Sequence, residues 1–128
     1  MPVIGIQHVQ VAMPRGKEAE ARGFYGDLLG LVERPKPPVQ AARGGVWFQC
    51  GAQELHVGVD EPFAPARKAH PALVVRDYDA LLSRLCAAAL VVTDDVTIPG
   101  VRRAFVADPF GNRIELLCGD PVPRPTAP

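Results

Sequence analysis

The feature that most constrains this chain is an internal repeat. His8 and His70 stand 62 positions apart (70 − 8), and Glu54 and Glu115 stand 61 apart (115 − 54). Both pairs fit one repeat of about half the chain. The surrounding patterns repeat as well. Ile6–Met13 alternates like a strand with a histidine near its start, and Ala69–Val75 does the same. Each is followed by a helical face, Ala21, Phe24, Tyr25 and Leu28 in the first half and Leu81, Leu82, Leu85 and Ala89 in the second. Gly30 stands where a helix C-cap glycine belongs, and Asp77 where the second helix needs an N-cap acceptor. Three strands then follow in each half. They are expected at 31–34, 45–50 and 53–59, and again at 90–93, 101–107 and 113–117. Cys50-Gly51-Ala52-Gln53 reads as a tight hairpin turn and Asp108-Pro109-Phe110-Gly111-Asn112 as a longer one. Each half is therefore β-α-β-β-β, and the fold class is α+β. The prolines of 35–40 predict an extended loop.

The whole 128-residue chain is expected to be a single domain, with a first module at 4–59, a second at 70–118 and a flexible Pro-rich tail at 119–128. The formal net charge is zero, which offers no electrostatic footprint for nucleic acid or a membrane surface. No apolar run approaches the ~20 residues of a membrane span. The opening Met1-Pro2-Val3-Ile4-Gly5 lacks a basic region followed by an apolar stretch, so no secretory signal and a cytoplasmic location are expected. Cys50, Cys86 and Cys118 are odd in number and not at metal-clip spacing; they are expected to be reduced, buried thiols.

Strand alternation decides which side chains share a face. Val9 and Val11 oppose His8, Gln10 and Ala12. Leu55, Val57 and Val59 oppose Glu54, His56 and Gly58. Leu73 and Val75 oppose His70, Ala72 and Val74, and Ile114 and Leu116 oppose Glu115 and Leu117. The apolar faces should pack under the helices. The other faces, curled into a trough, then carry every histidine of the protein and two carboxylates. Carboxylates are rarely buried unpaired, so Glu54 and Glu115 at inner strand positions point to a partner. Imidazole and carboxylate together suit a divalent metal: zinc, nickel, cobalt, iron or manganese. On the third strand Trp47 and Phe48 alternate, so one lines the trough and the other the core. Arg67 and Lys68 precede His70, and Arg102 and Arg103 open the seventh strand, one on each face; such cations suit an anionic substrate.

The order of these residues, with Phe24-Tyr25-Gly26-Asp27-Leu28-Leu29-Gly30-Leu31 and Asp108-Pro109-Phe110-Gly111-Asn112-Arg113-Ile114-Glu115-Leu116 between them, resembles the vicinal oxygen chelate superfamily, also called the glyoxalase/bleomycin resistance/dioxygenase family. The resemblance covers about residues 4–118. It implies two tandem βαβββ modules, curled mixed sheets around a metal-binding cleft, with ligands on the first, fourth, fifth and eighth strands. His8, His70 and Glu115 match three of them. Glu54, followed by Leu55, matches the fourth as glyoxalase I proteins carry it; His56, on the same face, is the other candidate.

The resemblance further implies a metal-dependent, glyoxalase-like lyase or isomerase acting on a small oxygenated substrate. Glu115 or Glu54 would remove a proton alpha to a carbonyl, with Gln10, Trp47, Arg67 and Arg103 as candidate substrate contacts. It also implies a homodimer, with first-half ligands of one chain meeting second-half ligands of the other. Two rivals are a non-catalytic, bleomycin-resistance-like binding protein and an extradiol-type dioxygenase. The latter needs a further histidine and a tyrosine near oxygen. This chain has no fourth histidine, and Tyr25 and Tyr78 fall on or beside helices. A fosfomycin-type thiol transferase has no distinct support in the residues.

Overall fold

The computed structural model describes residues 1–121, so 122–128 of the expected tail lie outside the described residues. The first module runs β1 (His8–Met13), α1 (Glu18–Ala21) continued by a π-helical turn over Arg22–Leu28, β2 (Val32–Arg34), α2 (Pro38–Ala42), β3 (Val46–Cys50) and β4 (Gln53–Val59). The second runs β5 (Ala72–Val75), α3 (Tyr78–Ala87), β6 (Thr93–Asp95), β7 (Arg103–Ala107) and β8 (Arg113–Cys118). Each module folds into one four-stranded sheet, ordered β1-β4-β3-β2 and β5-β8-β7-β6. The first pair of each sheet is parallel and the rest antiparallel. The fold is thus the α+β pair of mixed-sheet modules that the repeat requires.

The alternation sorts side chains as expected. Leu55, Val57, Phe48, Val46, Ile114, Leu116, Ala104 and Val106 are buried on the core faces. Phe24 and Tyr25 from the first helix and Tyr78, Leu81 and Leu85 from α3 close over them as one cluster. Each fully buried Leu, Ile or Phe contributes about 1.5–3 kcal/mol relative to exposure.

The two stretches that carry the resemblance meet inside this core. Tyr25 Oη donates to Asp108 Oδ2 at 2.6 Å. Asp108 Oδ1 also accepts from the backbone N–H of Phe110 and Asn112, at 2.9 and 2.8 Å. Asn112 Nδ2 donates to Asp108 Oδ2 and, across the modules, to the Ala12 carbonyl at 2.7 Å. Burial and the neighbouring Asp108 push the Tyr25 phenol well above its usual range. Arg84 of α3 adds a second tie, donating to the Asp27 and Leu28 carbonyls that end the first helix.

Several local expectations are corrected. Residues 35–40 are not wholly extended: Pro38 starts the short helix α2, because proline's fixed φ and missing N–H suit a helix's first turn. The sixth strand begins at Thr93 rather than Leu90. Residues 89 and 90 instead close α3, with Ala89 N–H bonded to the Cys86 carbonyl and Leu90 N–H to the Leu85 carbonyl, both at 3.0 Å. The seventh strand begins at Arg103. Asp77 does not cap α3 with its own side chain; it sits at φ 55° and makes no side-chain cap bond. The acceptor is Asp120, which takes the backbone N–H of Asp77 and Tyr78 at 2.7 and 2.9 Å. All three cysteines are free, but Cys86 is exposed and Cys50 and Cys118 only half-buried. No helix among the described residues is long and apolar enough to cross a membrane.

Candidate metal centre

The trough face of the first sheet places His8 opposite Glu54, and His56 between Gln10 and Trp47. The His56 ring is sandwiched, stacking on Trp47 at 4.3 Å between centroids and on His8 at 4.2 Å. It is 6% exposed, whereas His8 is open. His56 Nε2 lies 3.1 Å from Glu54 Oε1. Gln7, one residue before β1, reaches both candidate ligands: its Nε2 donates to Glu54 Oε2 at 3.1 Å, and its Oε1 contacts His8 Nδ1. The hydrogen bond from His56, with that from Gln7, holds the Glu54 carboxyl below its usual range.

In the second sheet, Glu115 lies between Ala72 and Phe105 and is buried. His70 does not lie on the fifth strand; it stands two residues before it, and Pro71, with no N–H to give a ladder, separates them. Even so, its Nε2 is 3.1 Å from Glu115 Oε1. Arg103 joins the pair, Nη1 lying 3.5 Å from Glu115 Oε1 while Nη2 is anchored by Asp95 at 2.9 Å.

One proton of His70 is placed by its neighbours. Nδ1 lies 2.7 Å from the Lys68 carbonyl, which only accepts, so Nδ1 carries a proton. A second proton on Nε2 would make the ring an imidazolium donating to Glu115, whereas without it Nε2 and Oε1 are two lone-pair donors to one bound cation. A His whose Nδ1–H rests on a backbone carbonyl while Nε2 is free is how metal-binding histidines are commonly held. The donor set of each module therefore fits a divalent ion, with His8 and Glu54 in the first and His70 and Glu115 in the second. Among the described residues of one chain, no three His, Cys, Asp or Glu side chains converge on a single metal position.

The remaining sequence candidates are placed as follows. Trp47 lines the trough and Phe48 the core. Gln10 lies over Gly58, where an added Cβ would come within 2.9 Å of its amide, and it lines a cavity of about 400 Å³ with His70, Asn112 and Arg113. Arg67 sits on the exposed linker between the modules. Arg102 turns away from the trough to pair with Asp79 at 2.6 Å and to cover the Tyr78 ring. Both tyrosines are core residues and do not reach the trough. Gln7 was not legible as a site residue. Its only signal is that it precedes His8, and what it does depends on the parallel pairing that brings Glu54 alongside.

The comparisons agree with this architecture. A glyoxalase family protein from Bacillus anthracis is 49% identical, superposes with a TM-score of 0.88, and matches over 92% of this chain and 97% of its own. A lactoylglutathione lyase from Agrobacterium tumefaciens shares 24% identity over 93% and 96% of the two chains with a TM-score of 0.71. The fosfomycin resistance protein FosX from Listeria monocytogenes has the same fold at 13% identity, over 92% and 95%, with a TM-score of 0.71. No family model matches the sequence, and no curated protein matches it. The chain belongs to the glyoxalase family, within the glyoxalase/bleomycin resistance/dioxygenase superfamily of vicinal oxygen chelate proteins.

Proposed function

We propose that this protein is a metal-dependent lyase or isomerase of the glyoxalase type, active as a homodimer on a small oxygenated substrate. His8 and Glu54 of one copy and His70 and Glu115 of the other would hold one zinc, nickel, cobalt, iron or manganese ion. The observation that carries this reading is the pair His70 Nε2 and Glu115 Oε1, 3.1 Å apart with Nδ1 already committed to the Lys68 carbonyl. Two donors per module are fewer than such an ion needs, which favours sharing between copies. The single chain also leaves Val3, Ile4 and Ile6 of the N-terminal arm and Val74 on the trough face of β5 exposed, as surfaces for a second copy.

Bound there, a divalent ion would supply Lewis-acid polarisation of substrate oxygens. The chain's own groups divide the remaining work. Glu54 is held on both oxygens, by His56 and Gln7, and is a poor proton acceptor. Glu115 uses only Oε1 in contacts among the described residues, so Oε2 is the atom placed to take a proton alpha to a carbonyl. His56 differs from His70 in that no bond among the described residues commits its Nδ1, so its Nε2 is the nitrogen to carry the proton and donate to Glu54, orienting that carboxylate rather than serving as a ligand. Arg103, fixed by Asp95, gives the trough a cation for an anionic group of the substrate. Elemental analysis of protein purified without chelator tests the reading. Stoichiometric metal, lost in His8→Ala and Glu115→Ala, is expected. Full metal content in both variants would place the ion elsewhere.

A further inference from the structure

We infer that Gln7 is a positioning residue that fixes both ligands of the first module at once, presenting His8 Nε2 and Glu54 to the same ion. The inference rests on the metal reading above, and hydrogen-bond chemistry alone sets the roles of the two Gln7 amide atoms. Glu54 accepts and cannot donate as a carboxylate, so the Gln7 atom 3.1 Å from Oε2 must be the amide nitrogen. The amide oxygen then faces His8 Nδ1. An amide oxygen only accepts, so Nδ1 must carry the imidazole proton, and the neutral ring keeps its lone pair on Nε2. The orientation of one carboxylate thus sets the tautomer of a histidine through one side chain. The Gln7 backbone adds to this hold, since its carbonyl accepts from Glu54 N–H at 3.0 Å.

The second module reaches the same tautomer by a different route. His70 Nδ1 is held by the Lys68 carbonyl, so no side chain there is required. This makes the two modules each other's control. Lys68→Ala keeps the backbone acceptor, whereas Gln7→Met keeps the approximate volume and removes both amide functions.

Two measurements on the full chain test the assignment. The first is ¹⁵N NMR of imidazole-labelled, metal-free protein above the imidazole titration range; with three histidines the spectrum is readily assigned by single variants. His8 is expected in the Nδ1–H form in the unmodified protein and in Lys68→Ala, and to lose that form in Gln7→Met. The second is Co(II) titration followed by visible absorption. Gln7→Met is expected to weaken Co(II) binding by about 10–100-fold, the usual effect of losing a partner that orients a ligand, while Lys68→Ala binds as the parent does. An Nε2–H His8 in the unmodified protein would overturn the assignment, as would parental Co(II) affinity in Gln7→Met. If the unmodified protein binds no Co(II), Zn(II) or Ni(II), the metal reading fails, and the imidazole shifts decide the tautomer role of Gln7 without it.

Discussion

The two modules follow one plan and finish it with different chemistry. In each, a helix is closed by a left-handed residue followed by a leucine, but that residue is Gly30 at φ 79° in the first module and Ala89 at φ 64° in the second. The hairpin before the last strand is a two-residue turn at Gly51 in the first, at φ 58°, and a five-residue Asp108–Asn112 loop in the second. The candidate histidine ligand is held by the Gln7 side chain in one and by the Lys68 backbone in the other. The first module thus holds its candidate histidine by a side chain and the second by backbone, while the second module's longer loop carries side-chain ties to its neighbour.

The largest difference should appear at the turns. Asp108→Ala strips the acceptor from Tyr25 Oη, Asn112 Nδ2 and two backbone N–H groups in the buried junction. Loss of a buried network of this kind costs about 3–5 kcal/mol, whereas Gly51→Ala in the opposite turn faces only open space and a left-handed φ, at about 1 kcal/mol. Urea denaturation measures both. Equal effects would mean that the second turn is not the junction between modules.

The helix ends give a smaller, signed pair. Gly30→Ala places a Cβ at φ 79° and is expected to lose about 1 kcal/mol. Ala89→Gly relieves the same strain at an exposed position and is expected to gain up to about 1 kcal/mol. Both changes in the same direction would show that the two closures are not equivalent.

A smaller effect still is expected at Asp120, whose carboxyl is held below its usual range by the backbone N–H groups of Tyr78 and Asp77. A lowered folded-state pKa contributes stability that is complete above the ordinary carboxylate value of about 3.9 and disappears as pH falls through the lower folded value. Asp120→Ala should therefore lower the melting temperature by a few degrees near neutrality, and the gap should narrow on acidification below that range. A gap independent of pH would remove the capping role.

Much of this is legible in the sequence. The repeat of His8 and Glu54 onto His70 and Glu115 carried the module count. Period-two alternation placed Glu54, His56 and Glu115 on the faces opposite Leu55 and Leu116, where they are found. What escaped were relations between residues distant in sequence. Asp77 has the right local chemistry for a cap, yet its left-handed backbone turns the task over to Asp120, 43 positions on (120 − 77). Pro38 reads as a strand breaker but works as a helix starter, because proline excludes only the helix interior. His56 offers ligand chemistry, and only the stack between Trp47 and His8 reveals how its ring is enclosed. Asp108 and Asn112 carry a turn signature whose cross-module bonds to Tyr25 and Ala12 depend on packing alone.

The central claim is that one ion is held by the first-module pair of one copy and the second-module pair of the other. Mixing His8→Ala chains with Glu115→Ala chains tests it most directly. In a shared arrangement the mixed dimer has one doubly damaged site and one intact site, so isolated heterodimers should bind one metal ion per dimer while each parent homodimer binds none. Heterodimers that form and bind no metal would contradict it, placing each site within a single chain.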